Sequence, residues 1–112
     1  MRIYLAGPMT GYPEFNFPAF HAETKRLRDL GHDVVNPAEL NTSTDWHTCM
    51  RVDIAALVGC EGFATLPGWE QSKGASLEVH IAKALQLVEV VESLGLDIDT
   101  FKGRPWPRKE PA

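Results

Sequence analysis

Two carboxylates stand where carboxylates rarely stand. Glu78 follows the run Ser72-Lys73-Gly74, where a helix is expected to begin, and that helix has Gly74, Ala75, Ile81, Ala82 and Leu85 on its apolar side. At about 100° per residue Glu78 falls in the middle of this stripe, with Ser76, His80 and Lys83 opposite. Asp53 repeats the anomaly one helix earlier, on an arc made of Trp46, Cys49, Met50, Ile54 and Leu57. Burying an unpaired charge costs several kcal/mol, so such placements call for a chemical reason. Near a helix start, the dipole and the free amides are expected to hold Glu78 ionised. A carboxylate of that kind in a dry pocket can attack, or electrostatically stabilise, an oxocarbenium-like sugar carbon. Asp53 would then share the proton work or hold sugar hydroxyls. The competing reading is structural, with both groups capping loops or pairing with Arg2, Arg51 or Lys73.

Other groups belong to the same neighbourhood. Ser72, Lys73 and Gly74 can bind an anion through backbone amides, a hydroxyl and a charge, or can be an ordinary helix cap. Tyr4 lies near the end of a first apolar run, where its hydroxyl would sit close to the strand C-terminus. Trp69 and Tyr12 occupy two loops and can stack on a flat base, or pack on each other or on a partner subunit.

The elements that must position these groups alternate in type. Ile3–Ala6 reads as a central strand ended by Gly7-Pro8, and the loop Gly7–Phe15 follows. Asn16 is expected to cap a helix with Pro18 in its first turn, Phe20, Leu27 and Leu30 on one face, and Gly31 at its end. Asp33–Val35 is a second strand, broken at Asn36-Pro37 and followed by a polar loop, Ala38–Thr44. The Asp53 helix starts near Thr44-Asp45 and stops before Gly59. Glu61–Leu66 is a third strand closed by Pro67-Gly68, the Glu78 helix ends near Gln86, and Leu87–Val91 is a fourth strand. Strand alternating with helix implies a parallel sheet with right-handed crossovers, and ligands bind beyond the C-terminal strand ends. The domain is expected to span 1–92, leaving 93–112 as an irregular tail that carries the basic, proline-rich run Lys102–Lys109.

Composition narrows the classes. At 112 residues, 44% hydrophobic and 23% charged, the chain is one globular domain, and its net charge of −4 gives no footprint for extended nucleic acid. Cys49 and Cys60 are isolated, which fits a reducing cytoplasm, and neither belongs to a zinc-binding pattern. The four histidines are scattered and read as surface groups. Met1–Ala6 is too short for a signal peptide, and no apolar run is long enough to span a membrane.

Tyr4-Leu5-Ala6-Gly7-Pro8-Met9, Asp53 before an apolar helix end, and Gly74-Ala75-Ser76-Leu77-Glu78 together resemble the nucleoside 2-deoxyribosyltransferase superfamily. The resemblance runs from about Arg2 to Val91 and is nearest to the DUF4406 branch, often encoded in phages and prophages. It implies a flavodoxin-like three-layer α/β sandwich with four or five parallel strands in the order 2-1-3-4(-5). It also implies cleavage or exchange of the N-glycosidic bond of a nucleoside or its 5′-monophosphate. By the resemblance Glu78 matches the nucleophile, Asp53 an acidic active-site residue and Tyr4 the strand-one tyrosine near the nucleophile. Gly7, Pro8, Met9, Ser72, Lys73, Gly74 and Trp69 would line the substrate site. No metal or organic cofactor is implied, and a homo-oligomer is, since such sites are commonly completed across a subunit interface. The alternative is a non-catalytic nucleotide-binding or sensing module on the same fold. Two departures bear on the substrate: Ser72 stands where transferases often carry Asp, as in the monophosphate hydrolases, yet Thr10 stands where those hydrolases have Arg.

Overall fold

The computed structural model describes residues 1–40 and 43–90. The strands are β1 (Arg2–Ala6), β2 (Asp33–Val35), β3 (Gly62–Thr65) and β4 (Val88–Glu89). The helices are α1 (Phe17–Asp29), α2 (Pro37–Leu40), α3 (Trp46–Leu57) and α4 (Lys73–Ala84). All strand pairs are parallel and the order is β2-β1-β3-β4, the expected arrangement. A fifth strand, the boundary near residue 92 and the basic run Lys102–Lys109 lie outside the described residues.

β1 is buried on both faces because its alternate residues feed two different cores. Ile3 and Leu5 join Phe20 and Leu27 of α1, together with Val34, Ala64, Leu66 and Val90. Tyr4 and Ala6 join Leu57 of α3 and Ala75, Val79 and Ala82 of α4, together with Val35 and Phe63. Helices therefore cover both sides of the sheet, giving three layers. The register aligns Tyr4 with Val35 and Phe63, and Ala6 with Thr65, so these side chains share the α3/α4 face.

Four local expectations are corrected. Asn16 precedes α1 in a left-handed conformation and does not cap it with its side chain; its Nδ2 donates to the Pro8 carbonyl at 2.9 Å, closing the loop after β1. The loop expected from Ala38 begins instead as α2, because the Asn36 side chain accepts from the Ala38 amide at 2.9 Å and Pro37 is preset for a first turn. An Asn-Pro pair before Ala-Glu-Leu was the readable signal. Leu85, expected on the buried side of α4, is 53% exposed, and Val79 takes the buried place at 2%. The helix ends at Ala84, so Leu85 no longer follows the stripe. Leu30 is likewise exposed, as the cap residue of α1.

Glycine matters most at Gly62, which sits under the edge strand. A Cβ there would lie 2.8 Å from the Met1 Sδ and 2.9 Å from the Val88 carbonyl oxygen. The methionine can move, but the carbonyl belongs to the β3–β4 ladder. Gly62→Ala is expected to destabilise the protein by about 1–3 kcal/mol through overpacking. Urea unfolding measures this, and an unchanged midpoint would refute the close approach.

Candidate active site

The order β2-β1-β3-β4 makes the chain move to opposite sides of β1 after β1 and after β2. The gap between the β1 and β3 exits is thus the topological switch point, where a parallel sheet opens to ligands. Two loops leave there. At Gly7 a Cβ would approach Leu66 Cβ to 2.8 Å, so the exits of β1 and β3 touch. At Gly68, whose φ is +89°, a Cβ would meet the Tyr12 hydroxyl at 2.6 Å, so the loops touch again further out.

Below these loops lie the two carboxylates. α3 starts cleanly because Asp45 accepts from the Thr48 amide at 2.9 Å and from its hydroxyl at 2.7 Å. This start turns Met50, Asp53 and Leu57 inward. α4 starts at Ser72, whose hydroxyl accepts from the Ala75 amide at 3.1 Å, and turns Ala75, Glu78, Val79 and Ala82 inward. Gly74 lets the helices approach, since a Cβ there would lie 3.0 Å from Met50 Sδ and 3.5 Å from Trp46 Nε1. Glu78 and Asp53 are 5% and 6% exposed, and Tyr4 is fully buried. The Tyr4 hydroxyl donates to Glu78 Oε2 at 3.0 Å, joining residues that are 74 apart in the chain.

The electrostatics of this trio depart from the expectation of an ionised Glu78. Burial first, then the nearby Asp53 charge and a hydrogen bond with Asp53, push the Glu78 carboxyl up to about 8, against the opposing Tyr4 hydrogen bond. The helix dipole loses because its effect is confined to the first turn, and Glu78 lies beyond it. At neutral pH the Glu78–Asp53 pair therefore holds a proton. Tyr4 is pushed well above the ordinary phenol value, by burial first and then by the charges of Glu78 and Asp53, so it remains a donor.

The cations offered by the structural reading do not partner Glu78. Lys73 Nζ stands 4.5 Å over the Trp46 ring, Arg51 is exposed, and Arg2 Nε faces Asp33 at 3.9 Å. Of the remaining expected site residues, Trp69 is half-buried against the Tyr4-side core, with Lys83 Nζ 5.9 Å from its ring. Pro8 is buried, whereas Met9 packs against the core on the α1 side, away from Glu78. The sequence marks Trp46 only as an inward residue of α3. Its stacking on Lys73 depends on the α3–α4 approach and had no sequence signal.

Among the described residues, no group of three His, Cys, Asp or Glu is placed to hold a metal ion. No described helix is long and apolar enough to cross a membrane.

Known proteins place this arrangement in context. The 2-deoxyribosyltransferase of the psychrotolerant bacterium Bacillus psychrosaccharolyticus is similar in structure, with a TM-score of 0.62. The match covers 80% of this chain and 69% of that one at 23% sequence identity, a likeness in fold. No curated protein matches the chain in sequence. Residues 1–91, which carry the four described strands and the buried trio, match the family described as a domain of unknown function, DUF4406, and the chain belongs to that family.

Proposed function

We propose that the protein cleaves or exchanges the N-glycosidic bond of a nucleoside or nucleoside 5′-monophosphate, with Glu78 as nucleophile. The observation that carries this reading is the buried Tyr4–Glu78–Asp53 cluster beneath the loops at the switch point. A hydrogen-bonded carboxyl pair with one proton holds both a nucleophile and an acid. As the base departs with the electron pair of the C1′–N bond, the pair's proton passes to its nitrogen through Asp53. A Glu78 oxygen bonds to C1′. Water, deprotonated by Asp53, then attacks C1′ and releases Glu78 as a carboxylate; an acceptor base in place of water gives exchange. The Tyr4 hydroxyl steadies the Glu78 carboxylate before and after the covalent step.

The substrate site extends to the loops. Ser72, Lys73 and Gly74 at the start of α4 would hold a 5′-phosphate, Gly7, Pro8 and Met9 would line the approach, and Trp69 would stack on the base. The Ser72 hydroxyl already caps α4, so its contribution would come as a shared cap and phosphate ligand. The working form is taken to be a homo-oligomer.

The deciding experiment is free-base release from a panel of nucleosides and 5′-monophosphates, with and without an acceptor base. Release from at least one member is expected; silence across the panel overturns the reading. Activity should fall on the alkaline side near the value of about 8 at which the pair loses its proton. In Tyr4→Phe the carboxylate loses its donor, so this limb moves to higher pH while turnover falls about 10- to 100-fold. A limb that stays in place would remove Tyr4 from the site.

The same electrostatics favour one second reading. A glutamic acid kept protonated at neutral pH suits a nucleotide-binding module that has lost the reaction. That module predicts saturable binding without base release.

A further inference from the structure

Among the described residues, the α3/α4 face of the sheet holds a polar group that neither the fold nor the trio uses. Thr65, the last residue of β3, is 2% exposed, and its hydroxyl has no hydrogen-bond partner. Phe63 belongs to the Tyr4-side core and Ala64 to the α1-side core, so strand alternation turns Thr65 to the Tyr4 side. The register pairs it with Ala6, one pleat beyond the Tyr4–Phe63 row and towards the strand C-termini. That step is about 6–7 Å along the strand. Its register neighbour Ala6 is small and buried, and offers the hydroxyl no side-chain partner. A valine would fill the same volume without the cost of a buried hydroxyl left unpaired.

We propose that Thr65 is a substrate-positioning residue whose hydroxyl bonds a hydroxyl of the bound sugar beside Glu78. The inference rests on the glycosidic reading, because the sugar is the part of the ligand that must lie next to the nucleophile. The hydroxyl is closed off in the free protein, so the bond forms as the ligand displaces side chains packed over this core, Trp69 among them. Its unmet state is then released on binding, which makes the site discriminate strongly against a sugar that lacks the matching hydroxyl.

The test pairs Thr65→Val with Thr24→Val. Thr24 is buried to the same 2% and also has an unpaired hydroxyl, but it lies on α1, across the sheet. Melting temperature and kcat/KM are measured for both, against the best nucleoside or monophosphate and its 2′-, 3′- and 5′-deoxy analogues. For Thr65→Val the expected result is an unchanged or higher Tm, a kcat/KM at least about tenfold lower, and loss of the wild-type preference for one sugar hydroxyl. Thr24→Val should match wild type in kcat/KM. A Thr65→Val protein with wild-type kcat/KM and preference overturns the inference while leaving the glycosidic reading intact. A fall in Tm also overturns it, since the hydroxyl would then serve the fold. Should the wild type release no base but still be stabilised by a nucleotide, the shift itself is the readout. A smaller shift in Thr65→Val supports the inference and an equal one overturns it. A wild type that neither releases base nor shifts removes both.

Discussion

Glu78→Ala should abolish base release, by at least about four orders of magnitude on the best substrate, while the protein stays folded. Two arguments set this size. Without the carboxylate, the covalent route to C1′ is gone and only water remains to attack. The proton is disturbed as well, because the Glu78–Asp53 hydrogen bond that shares it is lost. The fold should tolerate the change, since the residue contributes a buried ionisable group rather than apolar packing to the α4 stripe. Base release and the nucleotide-induced shift in Tm should therefore separate, the first lost and the second kept. Base release close to wild type would remove Glu78 as nucleophile. Asp53 would then become the first residue to test.

The second large effect is on stability and its pH dependence. Glu78 binds its proton more tightly in the folded chain, at about 8, than a free carboxyl does at 4.5. A raised value means that the stabilisation is complete below the unfolded value and is lost as pH rises through the folded one. The wild type should therefore become less stable between about pH 5 and pH 9, by roughly 3–5 kcal/mol for this group alone. Glu78→Gln copies the protonated acid: its carbonyl can accept from Tyr4 and its amide can donate to Asp53. The variant should flatten this part of the profile and melt about 15–20 °C above wild type near pH 9. Chemical unfolding across the range provides the check. Parallel wild-type and Glu78→Gln curves would show that Glu78 is ionised throughout and that the pair holds no proton. The two predictions are linked, because the same buried pair that supplies the acid and the nucleophile is what weakens the fold at high pH. Loss of activity in Glu78→Gln with gain of stability would be the stability–function exchange common at active sites.

Much of the architecture was legible in local patterns. Apolar runs closed by Gly7-Pro8, Asn36-Pro37 and Pro67-Gly68 marked the strand ends, because these residues break a ladder or force a turn wherever they occur. Strand–helix alternation led to the parallel sheet with its right-handed crossovers, while the strand order came with the family resemblance. Helical periodicity placed Asp53 and Glu78 on buried faces, and both are buried. These properties depend on neighbours a few residues away, so the chain alone determines them. Errors came where an end or a side-chain partner decided the matter. Asn16 reaches back to Pro8 rather than capping α1, Asn36 starts an unexpected short helix, and α4 ends before Leu85 can join its stripe. The resemblance put Tyr4 near Glu78, but only the tertiary structure makes their hydrogen bond across 74 residues, leaves the Thr65 hydroxyl unpaired on the same face, and lets burial outweigh the helix dipole so that Glu78 keeps its proton. Ionisation is set by solvent exclusion and by charges brought close through folding, and no local pattern in the sequence encodes either quantity.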